Sequence, residues 1–201
     1  TPMNAIVGFS QLMLRHYNNP DKVRNYAEKI VVSSQHLLRL INDVLDMSKI
    51  ESGKTTLNLC DVNLADIVKE TDNIIRPQAK KKNQTFVVKS DDIEYCCITA
   101  DKLRLSQILI NILSNAVKYT GEGGNITFEI KEVKVTNPQI AKYKFIISDN
   151  GIGMSEEYLK EVFKPFTREE TSLTDAVQGT GLGMAITKNL IDLMGGTIKV
   201  F

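Results

Sequence analysis

Three short polar segments in the second half of the chain carry groups that could bind a nucleotide. They are Asn111–Thr120 (NILSNAVKYT), Asp149–Gly153 (DNGIG) and Gly179–Met184 (GTGLGM). The first supplies carboxamides and a lysine, the second a carboxylate on a turn, and the third bare backbone amides that suit phosphate oxygens. Because each kind of group serves a different part of a nucleotide, the three segments together predict a nucleotide site.

The first segment ends a predicted helix that spans Lys102–Tyr119. In this helix Asn111, Asn115 and Lys118 share one face, because they are four and then three residues apart. Asparagine is a mediocre helix former, so two on one face need solvent or a ligand as hydrogen-bond partner. A carboxamide oxygen is also a suitable hard ligand for Mg²⁺ beside phosphates. For this segment alone, a solvated helix face is the alternative interpretation.

The second segment places Asp149 at the end of an apolar strand, where the chain turns. Its carboxylate only accepts hydrogen bonds, which suits the exocyclic amine of adenine and rejects the carbonyl that guanine presents. Taken alone, DNGIG is a common turn, so this motif has weight only together with the other two.

The third segment, Gly179–Gly183, opens directly onto a predicted helix. Its bare amides and the positive end of the helix could hold an anion. A polar stretch and not a strand precedes these glycines, which excludes the dinucleotide-binding fingerprint, and the sequence contains no GxxxxGK[ST] P-loop.

Composition and charge limit the possible function classes. The 201 residues are 42% hydrophobic and 24% charged, with Lys+Arg at 25 against Asp+Glu at 24, which is typical of one or two globular domains. The balanced charge argues against a nucleic-acid partner and a membrane-surface role. Since no apolar run approaches the roughly 18 to 20 residues that span a bilayer, we expect no membrane contact by this chain. The three cysteines have neither disulfide-framework nor CxxC spacing, so we expect reduced thiols and a cytoplasmic location. Cys96 and Cys97 are expected to be reduced strand residues on opposite faces rather than a redox pair.

The first quarter of the chain predicts a helical hairpin. Asn18–Asp21 (NNPD) is a turn with a helix N-cap, and it separates an upstream helix from a long one that ends near Gly53. Two such helices cannot bury their apolar faces against each other alone, so we expect a homodimer that completes a four-helix bundle. The long helix carries a coiled-coil-like seam at Val23, Ala27, Ile30, Ser34, Leu37, Ile41, Val44 and Ser48, widened by Leu38 and Leu45.

Strands and helices alternate from residue 54 onward. This places a domain boundary after residue 53 and predicts an α+β fold, in which the hairpin is followed by an α/β sandwich with a mixed sheet. The polar stretch Thr167–Gln178 has the composition of a mobile lid. The expected strands are Thr55–Cys60, Thr85–Lys89, Tyr95–Thr99, Asn125–Val135 and Tyr143–Ser148, and the expected helices run from Asp61–Ala65 towards Pro77, over Lys102–Tyr119 and over Gly183–Met194.

In their order along the chain, NILSNAVKYT, DNGIG, FKPF (Phe163–Phe166) and GTGLG resemble the N, G1, F and G2 boxes of the sensor histidine kinases. The opening TPMNAIVGFSQLML and the stretch LINDVLDMSKIESGK are similar to the two helices of that family's dimerization and histidine-phosphotransfer domain. The resemblance covers nearly the whole chain. It implies a Bergerat-type ATP-binding domain over residues 54–201, with ATP and Mg²⁺ as cofactors and a response-regulator receiver domain as partner.

Carried over by position, the resemblance also implies roles for single residues. Asn115 would hold Mg²⁺ with Asn111 beside it, and Lys118 would contact phosphate. Arg168 would reach the terminal phosphate, with Lys164 as a competing candidate for that role. The remaining nucleotide contacts would come from Tyr119 beside the adenine, Asp149 at its amine, Gly151 and Gly153 in the same turn, and Gly179, Thr180, Gly181, Leu182 and Gly183 around the phosphates.

In the family, the acceptor histidine and an acidic neighbour come just ahead of the threonine that corresponds to Thr1. We therefore expect the nucleophile outside this sequence, both ends trimmed, and no autophosphorylation by this chain alone. His16 and His36 are expected to have packing or surface roles. In the family, the threonine at the place of Thr1 also positions water for dephosphorylating the regulator; the alternative is that Thr1 only precedes a helix start.

Two other classes of protein stay open at this point. The Hsp90, MutL and gyrase ATPases share the ATP-binding fold with water as acceptor, but the long hairpin and the lack of an obvious catalytic glutamate in the N-box helix argue against them. A pseudokinase or docking module that dimerises without turnover is the second alternative, and the intact nucleotide boxes argue against it. The resemblance also implies a parent protein tethered to a membrane.

Overall fold

The chain folds into two compact units, Thr1–Thr55 and Thr56–Phe201. The structure is a computed structural model and describes residues 2–53, 55–90, 93, 96–133, 135, 140–169 and 179–201. Thr1 and most of the expected lid, residues 170–178, lie outside the described residues.

The first unit is the predicted helical hairpin. Helix α1 spans Pro2–Arg15 and helix α2 spans Pro20–Glu51. The side chain of Asn19 caps α2 by accepting a hydrogen bond from the backbone N–H of Lys22 at 3.0 Å, and Pro20 follows at the first helical position, where it removes no helical hydrogen bond. The two helices pack through stacked rings of Phe9 and Tyr26, whose centroids are 6.2 Å apart.

Many large apolar side chains of this hairpin are exposed in the single chain. An exposed apolar set of this size is unusual for a surface that faces only water, so it marks a contact surface. Its members include Val7, Leu14, Val31, Val32, Leu38, Ile41, Val44 and Leu45.

The second unit combines two sheets with helices. Strand β1 pairs antiparallel with β3, while β2 runs parallel to β4 and β4 runs antiparallel to β5, which makes the three-stranded sheet mixed. The predicted α+β fold with a mixed sheet is therefore confirmed. The elements in chain order are β1 (Cys60–Asn63), α3 (Leu64–Lys81), β2 (Thr85–Lys89), β3 (Cys97–Ala100), α4 (Lys102–Tyr119), β4 (Asn125–Val133), β5 (Lys142–Asp149), α5 (Glu156–Leu159) and α6 (Gly183–Leu193).

The core of this unit lies between the three-stranded sheet and the helices α3 and α4. Along β4 every second side chain is buried, as expected for a strand with one packed face. Burial of this apolar set fixes the position of α4, the helix that carries the first polar segment. The buried set includes Leu64, Ile67, Leu109, Leu113, Ile126, Phe128 and Ile130.

Several predicted boundaries were wrong. Strands β4 and β5 and helix α6 differ from their expected bounds by one or two residues at one or both ends, and three other elements differ as follows. The strand expected over Thr55–Cys60 begins only at Cys60, and upstream of it the backbone N–H of Asn58 donates to the Asp101 carboxylate at 2.9 Å instead of to a neighbouring strand. Helix α3 continues beyond Pro77 to Lys81, because its apolar face remains buried at Ala79. Strand β3 covers Cys97–Ala100 and ends one residue later than expected, while Tyr95, the expected first residue, lies outside the described residues.

The expectation that Cys96 and Cys97 point to opposite faces was also wrong. Their Sγ atoms are 3.9 Å apart and both residues are exposed. The reason is that Cys96 precedes β3, so the alternation of strand side chains does not apply to it.

None of the helices formed by the described residues is both long and apolar enough to cross a membrane.

Candidate nucleotide-binding site

Helix α4 presents the first polar segment along one half-buried face. The carboxylate of Asp101 starts the helix by accepting from the backbone N–H of Arg104 at 3.0 Å. The opposite face is buried in the core, so Asn111, Asn115 and Lys118 are held in a row by the packing of the helix. The row is thus set by local helix geometry and by the core together.

Asn111 joins α4 to the start of α6. Its Nδ2 donates to Oγ1 of the buried Thr187 at 2.7 Å. A Cβ atom placed on Gly183, the first residue of α6, would lie 2.4 Å from Asn111 Oδ1. Only a glycine lets the two helices approach so closely, so this residue type at position 183 has a direct structural reason.

Lys118 lies between an aromatic ring and the glycine segment. Its Nζ donates to the Tyr119 hydroxyl at 3.2 Å and lies 4.8 Å from the centre of that ring. A Cβ atom on Gly179 would be 2.8 Å from the same Nζ. The ammonium group therefore faces the backbone that begins the glycine segment, which is an arrangement suited to phosphate.

Asp149 ends strand β5 beside the end of α4. Its Oδ1 accepts from the backbone N–H of Gly151 at 2.9 Å and from the hydroxyl of the buried Thr120 at 3.4 Å. The turn also contacts α4 directly, because Ile152 N–H donates to the Tyr119 carbonyl at 3.3 Å. A Cβ on Gly151 would lie 2.6 Å from that carbonyl oxygen, so the turn needs glycine there.

The glycine segment is anchored at Gly181. This residue has φ +70°, and its carbonyl accepts from the backbone N–H of Phe166 at 2.9 Å. Phe166 itself has φ 63° and is exposed. The neighbouring Leu182 is buried, and its N–H donates to the Thr180 hydroxyl at 3.1 Å. FKPF and GTGLG, which are far apart in sequence, therefore form one connected backbone structure.

Four of the expected site residues are joined less directly to this assembly. Asn115 is half-buried, and none of the described residues makes a hydrogen bond with its side chain. Gly153 has φ +71°, with open space around it. Lys164 is ion-paired with Glu161 at 2.6 Å on the surface.

Arg168, the fourth of these residues, is exposed and lies near Tyr158. Burial raises the pKa of the Tyr158 hydroxyl, and the charges of Tyr119 and Glu169 raise it further, whereas Arg168 lowers it. Tyr158 therefore lies within electrostatic range of both Tyr119 and Arg168. The part of the expected lid that the structure describes is anchored, since Glu169 accepts from the backbone N–H of Ser155 at 3.0 Å.

Two residues that sequence reasoning missed hold the end of α4. Lys82 Nζ donates to the carbonyls of Val117, Lys118 and Thr120 at 2.8, 2.9 and 3.4 Å. The buried Gln84 donates through Nε2 to the carbonyls at positions 117, 120 and 121 at 3.1, 2.7 and 3.2 Å. A positive charge and amide donors at a helix C-terminus satisfy carbonyls that the helix cannot. We call this pair the C-terminal clamp of α4; no local sequence signal marks it.

The donor set fits one hard cation that is shared with phosphate. Among the described residues no group of three or more His, Cys, Asp or Glu side chains could hold a metal ion. Asn115 offers a carboxamide oxygen on the face that also carries Lys118. Mg²⁺ is commonly held by one or two protein oxygens together with substrate phosphates and water, so this sparse set is compatible with it.

Comparison with known proteins agrees with this arrangement. Residues 1–53 match the His Kinase A (phospho-acceptor) domain, and residues 100–201 match the histidine kinase-, DNA gyrase B-, and HSP90-like ATPase family. The chain belongs to the sensor histidine kinases. Several classes of protein share this ATP-binding domain, and the match of residues 1–53 to the phospho-acceptor domain distinguishes the histidine kinases from the others.

Known sensor histidine kinases are similar to this one over its whole length. The autoinducer 2 sensor kinase/phosphatase LuxQ of Vibrio vulnificus is 36% identical over 200 residues, which is 100% of this chain and 23% of LuxQ. This histidine kinase chain thus spans about a quarter of such relatives.

Two solved structures share its fold. Full-length ShkA in complex with AMPPNP has a TM-score of 0.71 and 26% identity, over 96% of this chain and 38% of ShkA. ThkA in complex with the response regulator TrrA has a TM-score of 0.66 and 25% identity, over 98% of this chain and 52% of that chain.

Proposed function

We propose that this chain is the core of a kinase that transfers the γ-phosphoryl group of ATP to a histidine, from which it passes to an aspartate of a response regulator. The observation that carries the proposal is the convergence of three polar segments around the end of α4. Asn111 contacts the start of α6, Lys118 faces Gly179, and the turn after Asp149 contacts Tyr119. These contacts bring together in one site a carboxylate that can bind the adenine base, a cation that can bind phosphate, and exposed backbone amides.

Each group has a proposed part in binding ATP. The carboxylate of Asp149 accepts a hydrogen bond from the exocyclic amine of adenine, and the ring of Tyr119 lies beside the adenine. Gly151 and Gly153 allow the backbone conformation of the turn. Lys118 and the amides of Gly179–Gly183, including those of Thr180, Gly181 and Leu182, bind phosphate oxygens. Arg168, with Lys164 as the competing candidate, binds the terminal phosphate.

Catalysis in this proposal rests on positioning and charge neutralisation. Asn115, with Asn111 beside it, holds Mg²⁺ through its carboxamide oxygen. Mg²⁺ held there would supply positive charge that neutralises the negative charge of the phosphates during transfer. A neutral imidazole nitrogen of the acceptor attacks the γ-phosphorus in line, while Lys118 and the glycine segment hold the leaving diphosphate.

The acceptor in this proposal is a histidine outside residues 1–201. His16 is engaged structurally, because its Nδ1 lies 2.9 Å from the Leu12 carbonyl and its ring lies beside Tyr26. In this proposal neither His16 nor His36 is the acceptor, and the chain alone binds ATP without phosphorylating itself. We assign residues 1–53 to the dimerization and phosphotransfer domain and residues 54–201 to the ATP-binding domain.

The exposed apolar residues of α1 and α2 support a homodimer. Leu38, Ile41 and Leu45 are 59%, 47% and 51% exposed in the single chain. Because full burial of such a side chain contributes about 1.5 to 3 kcal/mol, covering the exposed half of each contributes about half of that value. A second hairpin covers them in a four-helix bundle.

The receiver domain of a response regulator is the second partner, and the complex of the similar kinase ThkA with its regulator TrrA supports this assignment. We place the kinase core in the cytoplasm, where regulators are found, in a parent protein tethered to a membrane.

Dephosphorylation of the regulator is a second candidate function. The relative LuxQ is a sensor kinase/phosphatase. In this proposal Thr1 positions the attacking water. If the chain binds a response regulator but no nucleotide, it is a docking module without kinase turnover.

Calorimetric titration with a non-hydrolysable ATP analogue, with and without Mg²⁺, tests the nucleotide site. We expect Mg²⁺-assisted binding that Asn115→Ala weakens at least tenfold, while Asn73→Ala, an exposed asparagine on α3, binds like the wild type. A folded chain that binds no adenine nucleotide would refute the proposal.

A second measurement tests the transfer itself. The chain is incubated with γ-labelled ATP and a histidine-bearing hairpin of a similar kinase. Label on the histidine, lost on addition of a receiver domain, is the expected result. If the chain binds ATP normally but labels no histidine, it is a pseudokinase.

A further inference from the structure

Cys96 and Cys97 form an exposed pair of thiols at the start of strand β3. Their Sγ atoms are 3.9 Å apart, and both side chains are exposed. Exposed free thiols at this separation can react with one atom at the same time, whereas an isolated thiol cannot. The pair lies apart from the three polar segments and has no part in the proposed kinase reaction.

The backbone holds the two thiols side by side. The carbonyl of Cys96 accepts from the Leu64 N–H at 2.7 Å, and Cys97 is the register partner of Asn63 in the antiparallel pair of β1 and β3. Both residues are therefore attached to the first turn of α3 and to β1. This attachment reduces the conformational entropy that a chelating dithiol would lose on binding.

The separation suits a single soft centre. Trivalent arsenic bound to sulfur is pyramidal, and two sulfurs with bonds of about 2.3 Å and an angle of about 100° are about 3.5 Å apart. The observed 3.9 Å is longer by about 0.4 Å, a change that a small rotation of the two exposed side chains can supply, so both sulfurs can bind one atom. A metal ion that needs three or more protein ligands is not favoured, since the described residues contain no His, Cys, Asp or Glu cluster of that size.

The surroundings favour the protonated form of the Cys97 thiol. The hydrogen bond with Cys96 raises the pKa of the Cys97 thiol, and the charges of Cys96, Asp61 and Asp66 raise it further. A protonated thiol is a poor nucleophile towards peroxide, which requires the thiolate. Condensation of two thiols with a soft electrophile, with loss of water, suits this pair because the two sulfurs lie side by side and because the reaction needs no oxidant.

We propose that Cys96 and Cys97 form a dithiol site for trivalent arsenicals. With phenylarsine oxide, the two S–H groups and the As=O group give two As–S bonds and one molecule of water. Arsenic stays trivalent and the sulfurs are not oxidised, so no other reactant is needed. The product is a closed ring that contains both sulfurs and the backbone between the two residues.

Cys60 is the matched control in the same chain. It is also exposed and free, but its Sγ donates to the Ala100 carbonyl at 3.6 Å, and its register partner is Ala100, three residues along β3 from Cys97. It can bind arsenic through one sulfur only, and such adducts exchange with added monothiols.

The test treats the whole chain with one equivalent of phenylarsine oxide in excess monothiol, alkylates the remaining thiols and maps them by mass spectrometry. We expect Cys96 and Cys97 to be protected and Cys60 to be alkylated, with protection reversed by a dithiol. Equal alkylation of all three cysteines would overturn the proposal. This map needs no variant, so it does not depend on the folding of one.

Variants provide the second measurement. Intact mass should show one retained arsenical per chain for the wild type and for Cys60→Ser. Cys96→Ser and Cys97→Ser, with unchanged circular dichroism, should retain none in excess monothiol. Retention by either of these two single variants would contradict a site that requires both sulfurs.

Discussion

Replacement of Lys82 by methionine tests whether the C-terminal clamp of α4 holds the nucleotide site in place. The ammonium group of Lys82 donates to three carbonyls at the end of α4. Methionine retains much of the apolar stem of the half-buried lysine but has no donor. The substitution therefore removes the charged hydrogen bonds with little change in packing.

The expected loss follows from the contacts. Gln84 also donates to the carbonyls of Val117 and Thr120, so those two remain satisfied in the variant. The Lys118 carbonyl has only Lys82 as side-chain donor among the described residues. A hydrogen bond from a charged group contributes about 1.5 to 3 kcal/mol, and a cation at a helix C-terminus about 0.3 to 1 kcal/mol. We expect Lys82→Met to lower the free energy of unfolding by about 2 to 4 kcal/mol.

Urea unfolding followed by circular dichroism, together with titration of an ATP analogue, measures both consequences. Because Lys118 and Tyr119 lie in the last turn of α4, we also expect weaker nucleotide binding. Lys81→Met removes an exposed neighbouring lysine and is the control. Lys82→Arg, which keeps the charge and donors, should recover part of the loss. Unfolding of Lys82→Met at the same urea concentration as the Lys81→Met control would refute the clamp.

Three further predictions concern other parts of the chain. Gly181→Ala should lower the free energy of unfolding by at least about 1 to 2 kcal/mol because of its left-handed backbone, and its Cβ would also lie 2.8 Å from the Phe166 backbone. Thermal unfolding should show lower stability and titration should show weaker nucleotide binding. The control Gly121→Ala, whose Cβ would lie in open space, should show neither change. Burial raises the pKa of the Tyr158 hydroxyl, so the neutral side chain stabilises the fold below the unfolded pKa of about 10, and this contribution is lost as the pH rises further. Tyr158→Phe should therefore reduce the fall in the free energy of unfolding between about pH 9 and 11. An identical fall in the variant and the wild type would contradict the role of burial. Leu38→Asp with Leu45→Asp should convert a dimer into a monomer by light scattering, while Asn25→Asp, also exposed on α2, should leave the dimer intact; a double variant that stays dimeric would exclude this face as the interface.

Several elements could be predicted because their signals are local. Helix α4 was predicted with its observed bounds, since Asp101 is a cap residue and apolar residues repeat at helical spacing up to Ala116. Strand β2 was also predicted with its observed bounds, Thr85–Lys89, from a short run of strand-forming residues. The family follows from motifs whose order along the chain is itself a sequence property. The roles of the single site residues remain predictions.

Contacts between distant residues were not predictable in this way. The sequence alone determined helix α4, the hairpin and the family, because helical periodicity, capping residues and motifs act over a few neighbouring positions. Only the tertiary structure brings Thr187 to Asn111, places Lys82 on the carbonyls of α4 and sets the Sγ atoms of Cys96 and Cys97 side by side. Such contacts depend on how the core packs and on which strands pair, and no local pattern encodes either.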